Sequence, residues 1–225
     1  MTNLAVFDCD GTLVDGQADI CDTMESAFDR AKIAPPSRHD IRRIVGLSLP
    51  VAIRQLSPEL DEDQVRHVVE FYKSSYFARR QEGMLHEPLY DGIADLLHRL
   101  RDAGWSLAVA TGKSDRGLNA VLAAHGLSDL FISLQTADRH PSKPHPAMLE
   151  AALLEAGVDT ADAVMIGDTS FDMQMARTAN VRAVGVAWGY HETPELMATG
   201  ADIVTRNAAH LGDELLGQNT LGDTE

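Results

Sequence analysis

Asp8 and Asp10 stand two residues apart in Asp8-Cys9-Asp10-Gly11-Thr12, directly after the apolar run Leu4-Ala5-Val6-Phe7. Carboxylates so placed can act as nucleophile, as acid and base, or as cation ligands. Three later groups share the pattern. Thr111-Gly112-Lys113 follows the run Trp105 to Ala110, and Gly167-Asp168-Thr169, with Asp172 close behind, follows Ala163 to Ile166. Ser142-Lys143-Pro144 precedes a helix that should begin near Pro146. Each group alone has a plain structural explanation. A single Asp at a strand end usually caps a helix or turn, Gly-Asp-Thr is ordinary turn chemistry, and Lys-Pro is usually a solvated loop. Packing gives no reason to collect Asp8, Asp10, Asp168 and Asp172 at one place, and like charges repel unless a cation binds among them. Hard oxygen ligands suit Mg²⁺. Such an ion, with Lys143, would offset the charge and leave a landing place for phosphate.

Collecting these residues requires a particular scaffold. Leu4 to Phe7, Trp105 to Ala110, Leu130 to Leu134, Ala163 to Ile166 and Val181 to Ala187 read as short buried strands. Between them run helical patterns such as Ile93-Leu96-Leu97-Leu100 and Leu118-Val121-Leu122. The alternation predicts an α/β fold, a doubly wound parallel sheet covered on both faces. Ligands of such sheets bind beyond the carboxyl ends of the strands, where all four groups fall.

Residues 16–87 break the alternation and show only helical patterns. Val65, Val69, Tyr72, Tyr76 and Phe77 fall on one helical face, preceded by Asp61, Glu62 and Asp63 where negative charge suits a helix start. Core packing within a helical bundle is the expectation for that stripe. The predicted organisation is a core of residues 1–15 and 88–225 and a helical cap of residues 16–87. Gly16 and Gly83 to Pro88 would be hinges, and the polar tail 217–225 would fray.

Composition narrows the partners. Against 19 Lys and Arg stand 34 Asp and Glu, a formal charge of -15 over 225 residues, which disfavours nucleic acid and anionic membrane surfaces. No apolar run is long enough to span a bilayer, and no secretory leader is expected at the N-terminus. Cys9 and Cys21 are too few for a disulfide framework. A cytoplasmic protein of unspecified oligomeric state is the expectation. Cys9 should point away from its two acidic neighbours and pack inside, while His86, His140 and His145 lack metal-ligand spacing and read as surface residues.

Asp8-Cys9-Asp10-Gly11-Thr12-Leu13-Val14-Asp15 resembles the first motif, DxDGT, of the haloacid dehalogenase-like hydrolases. Thr111-Gly112, Lys143-Pro144 and Gly167-Asp168-Thr169 with Asp172 are similar to the second, third and fourth motifs, in that order. The resemblance covers nearly the whole chain and looks closest to the phosphoglycolate phosphatase-like branch, with its Rossmann-like core and helical cap. It implies that Asp8 is the nucleophile forming an aspartyl-phosphate and that Asp10 is the general acid and base. Mg²⁺ would be held by Asp8, the Asp10 carbonyl and Asp168, with Asp172 supporting the metal's waters. Thr111 and the Gly112 amide would hold phosphate oxygens, and Lys143 would stabilise charge on Asp8 and the transferring group. Arg42, Arg43, Gly46 and Leu47 lie in the cap segment that would face the site, where a basic residue could meet a substrate carboxylate. A solvated helix face explains Arg42 and Arg43 equally well.

Asp10 favours phosphate chemistry, because dehalogenating and phosphonate-cleaving members of the family lack a second acid there. The implied reaction is Mg²⁺-dependent hydrolysis of a small phosphomonoester, with 2-phosphoglycolate first. Sugar phosphates, nucleoside monophosphates, pyridoxal phosphate and pyrophosphate stay open. A phosphosugar mutase is the runner-up, weakened because Ile20 and Leu49 stand where such mutases carry histidine and arginine. A phosphoryl-accepting receiver module and a regulatory protein on a dead phosphatase fold are the alternatives that are not enzymes.

Overall fold

The computed structural model describes residues 3–217. Strands β1 (Leu4–Phe7), β2 (Ser106–Thr111), β3 (Ser133–Thr136), β4 (Ala163–Gly167), β5 (Arg182–Val186) and β6 (Ile203–Thr205) form a sheet ordered β3-β2-β1-β4-β5-β6. Every neighbouring pair is parallel. Four helices follow β1: α1 (Gln17–Arg30), α2 (Arg38–Arg43), α3 (Leu49–Leu56) and α4 (Glu62–Gln81). The others are α5 (Ile93–Asp102), α6 (Asp115–Ala124), α7 (Ala147–Ala156), α8 (Ser170–Thr178), α9 (Thr193–Ala198) and α10 (Ala208–Leu216).

Side-chain alternation builds the two faces. Ala5 and Phe7 of β1 join an apolar layer with α5, α6 and α10, whereas Leu4 and Val6 join one with α7, α8 and α9. Both sides of β1 are therefore buried, which is why its sequence reads as a continuous apolar run. Cys9 continues the first layer and is fully buried.

Strand register places the chemistry. Phe7 lies opposite Val109 of β2 and Ile166 of β4, so the three strands end nearly level. The Asp8 N–H donates to the Ile166 carbonyl at 2.9 Å, carrying the pairing one residue further before the chain turns. Strand order reverses about β1, and the crevice between diverging connections opens at that end of the sheet.

One strand expectation needs correction, and one strand was not expected. The residues around Leu130 form a short 3₁₀ turn, Ser128–Leu130, and β3 begins only at Ser133. Leu127, Leu130 and Phe131 pack on the core from that turn, while buried Ser133 and Gln135 hydrogen-bond each other at 2.8 Å within the strand. The apolar cluster therefore marks a turn anchor. The edge strand β6 escaped the sequence reading because its three residues are too few to make a pattern.

Helices α1–α4 pack around Ile20, Met24, Phe28, Ile41, Ile53, Val65 and Val68. An Asp61–Gln64 capping box starts α4. The expected stripe divides: Val65 joins this core, whereas Tyr72, Tyr76 and Phe77 also border a cavity. Periodicity reports an apolar face without saying whether protein or enclosed space meets it. The tail beyond Gly217 lies outside the described residues. No helix among the described residues is long and apolar enough to cross a membrane.

Leu97 of α5 is fully buried, whereas Leu154 of α7 is 83% exposed. Leu97→Ala should cost about 2–5 kcal/mol and Leu154→Ala less than about 0.5 kcal/mol. Urea unfolding would check this, and similar midpoints for both variants would contradict the assigned core.

Candidate active site

Asp8, Lys143, Asp168 and Asp172 converge with almost no solvent exposure. Lys143 Nζ lies 3.0 Å from Asp8 Oδ1 and 2.6 Å from Asp172 Oδ1. Asp8 Oδ1 also accepts from the Cys9 N–H at 2.6 Å, whereas buried Asp8 Oδ2 has no hydrogen-bond partner. Asp168 accepts from the Thr12 hydroxyl at 2.8 Å and the Tyr190 N–H at 2.9 Å. Asp172 Oδ2 accepts from the Thr169 hydroxyl at 2.7 Å and its N–H at 3.1 Å, closing a capping box on α8.

The cluster holds more carboxylate than its lysine can balance. Burial pushes the Asp8 carboxyl up to about 7, with Lys143 opposing and Asp172 adding to the rise. Asp168 is driven well above the usual carboxylate range, by burial first and then by Asp8 and Asp172. Burial would also lower Lys143, but Asp172 and Asp8 more than compensate and keep it charged.

Asp10 turns to a second cation. Lys113 Nζ sits 2.7 and 3.0 Å from its two carboxylate oxygens and 3.0 Å from Glu87 Oε1. Glu87 in turn accepts from the Tyr76 hydroxyl at 2.6 Å and from Arg80 at 2.5 Å, both on α4. Burial alone would lower Lys113, yet Asp10 above all holds it well above its ordinary value. Glu87 falls below its ordinary value: burial opposes this, but Lys113 and the Tyr76 hydrogen bond outweigh it. Lys113 was visible in the sequence as part of a strand-end triplet, but nothing there distinguished it from a solvated lysine. Glu87 belongs to no motif, and only the return of the chain from α4 brings it in.

Known proteins place the chain in a family. The description "Haloacid dehalogenase-like hydrolase" matches residues 5–186, which include every acidic residue of the site. The chain belongs to the haloacid dehalogenase-like hydrolases. Across 91% of its length it is 34% identical to the protein named "Probable phosphatase IndB" of Dickeya dadantii, covering 89% of that relative. It is 31% identical to the phosphoglycolate phosphatase of Agrobacterium fabrum, over 94% of this chain and 91% of the other. A hydrolase structure from Pseudomonas syringae superposes with a TM-score of 0.85 at 25% identity, covering 96% of this chain and 99% of that one. Family membership removes the receiver-module alternative.

In this haloacid dehalogenase-like site, the segment before α3 closes over the sheet edge. A Cβ on Gly112 would stand 2.5 Å from the Gly46 carbonyl and 2.6 Å from that of Leu47, so glycine is required for the approach. Gly46, at the positive φ of +99° that favours glycine, lies over the same end of the sheet, where a Cβ would be 3.3 Å from Thr169 Oγ1 and 3.8 Å from Asp8 Oδ2. Gly46 and Leu47 thus reach the site with their backbone. Arg42 and Arg43 do not line the cavity. Arg42 reaches Gln17 at 3.4 Å, and Arg43 makes a two-pronged pair with Glu195 of α9 at 2.5 and 2.6 Å. The Arg43 carbonyl accepts from His191 Nε2 at 3.1 Å. Arg43 thus ties the helical segment to the core, while Arg42 bonds within the helical segment.

The acidic set fits a divalent cation. Asp8, Asp168 and Asp172 each offer an oxygen within 4.8 Å of the others. The orphaned Asp8 Oδ2 is the decisive group, since a buried acceptor without a donor suits a metal. Asp168 has one donor on each oxygen and retains lone pairs for a second contact. Asp172 Oδ1 accepts from Lys143 and Oδ2 from Thr169, so this carboxylate positions the lysine while Oδ1 retains a lone pair beside the cation site.

Two tests follow. Because the Asp8 pKa is about 7 in the folded chain against 3.8 ordinarily, its proton stabilises the fold at low pH, and that contribution is lost as pH rises through about 7. A cation takes the ionised form, so Mg²⁺ should raise Tm more at about pH 8 than at about pH 5; an equal rise at both would contradict the assignment. Lys113→Met leaves Asp10 and Glu87 facing one another, a loss of about 3–5 kcal/mol. Adding Glu87→Gln removes one of the two facing carboxylates and should restore part of the Tm; no recovery on thermal unfolding would contradict the pairing.

Proposed function

We propose that the chain is a phosphoric monoester hydrolase that uses Mg²⁺ and an aspartyl-phosphate on Asp8. The observation that carries this reading is the buried Asp8, braced by Lys143 and left with an oxygen free of hydrogen bonds. Its position at the end of β1, beside Thr111 and Gly112 at the end of β2, suits capture of a phosphoryl group.

In the proposed reaction an Asp8 oxygen forms a bond to phosphorus while the ester P–O bond breaks. Asp10 gives a proton to the leaving oxygen and later takes one from the attacking water, whose oxygen bonds to phosphorus as the Asp8 Oδ–P bond breaks, releasing inorganic phosphate and restoring the Asp8 carboxylate. Lys113 fixes where the Asp10 carboxylate points. The Thr111 hydroxyl and Gly112 N–H hold phosphoryl oxygens, and Lys143 opposes the charge gathering on Asp8 and the transferring group. Asp8, Asp168 and the Asp10 carbonyl would hold Mg²⁺, which when bound would supply further positive charge to the phosphoryl oxygens. Asp172 keeps Lys143 in place.

In this reading residues 16–87 are a cap on a core of residues 1–15 and 88–225, and closure excludes bulk water during transfer. Ile20 and Leu49 both line the cavity as apolar side chains, which supports hydrolysis over a mutase needing histidine and arginine there. The buried, unbonded Cys9 and Cys21 suit a reducing cytoplasm. Relatives named phosphoglycolate phosphatase make 2-phosphoglycolate the reference compound for assay.

Phosphate release from a panel of phosphomonoesters, with Mg²⁺ or with EDTA, tests the proposal. Wild type should require the metal, and Asp8→Asn should lose at least about a thousandfold in kcat. A fully active Asp8→Asn would remove Asp8 as nucleophile, and undiminished release in EDTA would remove the metal.

A further inference from the structure

The space beside the phosphoryl site is larger and less polar than a glycolate leaving group needs. A cavity of about 420 Å³ runs from Asp10, Thr111 and Gly112 to the inner faces of α1, α3 and α4. Its walls there are Ile20, Met24, Leu47, Leu49, Tyr72 and Phe77. Sites of that size commonly hold organic ligands with a substantial apolar body. Beyond its phosphate, 2-phosphoglycolate offers only two carbons and a carboxylate.

The cations around the cavity are poorly placed for that carboxylate. Lys113 is paired with Asp10 and Glu87, and Arg80 with Glu87. Arg116 is exposed, with its guanidinium 3.4 Å from the Phe77 ring centre. Lys73, the remaining lining cation among the described residues, is also exposed. A small carboxylate leaving group would therefore be buried against apolar walls, with its free cations at the rim, which is costly. The aromatic wall has the opposite preference. Tyr72 and Tyr76 stack at 5.7 Å with planes 16° apart, and Phe77 follows on the next position of α4.

We propose that the favoured substrate is a phosphomonoester whose alcohol carries an aromatic body, seated between Phe77 and Tyr72 on one side and Ile20, Met24 and Leu49 on the other. This rests on the hydrolase reading above and narrows its substrate class. Phe77 and Leu49 become specificity-determining residues, while the phosphoryl machinery stays unchanged.

The experiment compares kcat/KM for phenylpropyl phosphate, propyl phosphate and 2-phosphoglycolate in wild type, Phe77→Ala and Phe77→Leu. The phenylpropyl and propyl esters share an alkoxide leaving group, so their ratio reads the ring. Wild type should prefer phenylpropyl phosphate by about tenfold or more over both others. Phe77→Ala should bring its ratio to propyl phosphate below about threefold, and Phe77→Leu should recover much of the preference. Comparable values for the phenylpropyl and propyl esters, a preference for 2-phosphoglycolate, or a ratio untouched by Phe77→Ala would overturn the inference while leaving the hydrolase reading intact. Metal-dependent release from none of the three would overturn both.

Discussion

Lys143 lies between Asp8 and Asp172 with none of the three side chains exposed, and much of the surrounding architecture serves that buried charge. An isolated ammonium in such a place would lose its proton or open the structure to water. Two carboxylates prevent that, but with Asp168 beside them they overshoot and leave the cluster short of positive charge. The shortage gives the site its chemistry. It raises the Asp8 and Asp168 carboxyls, leaves an Asp8 oxygen without a donor, and creates a place for a cation where phosphate could also be drawn.

Holding such a cluster requires rigid supports. Asp8 is carried on a central strand paired on both sides, and Asp172 is locked by the capping box that begins α8. Asp168 is fixed from two directions, by Thr12 in the loop after β1 and by the Tyr190 backbone after β5. No donor in this set depends on a solvent-exposed side chain, so the geometry is established before substrate arrives, the condition under which electrostatic stabilisation is most effective.

The helical segment joins this core through a second group of buried charges. Lys113, Glu87, Tyr76 and Arg80 connect the Asp10 carboxylate to α4, while Arg43 and Glu195 connect α2 to α9. The exposed flank of Arg43 and Glu195 makes that pair the weaker tie. The Lys113 group is enclosed, and disturbing it disturbs Asp10. The position of α4 and the orientation of the Asp10 carboxylate are therefore physically linked.

The amino-acid sequence by itself determined the α/β class and the acidic residues at the strand ends, because short apolar runs followed by Asp or Thr are local features. It also marked α4 as amphipathic from a periodicity contained within one segment. Tertiary structure decided what those residues touch. Asp172 meets Lys143, Arg43 meets Glu195 instead of the cavity, and Lys113 meets both Asp10 and Glu87. Glu87 is 77 positions from Asp10 in the chain, and Glu195 is 152 from Arg43, so no local pattern could announce either partnership. The division of the α4 stripe has the same origin: an apolar face looks alike in sequence whether it meets another helix or a cavity, and only the assembled fold distinguishes them.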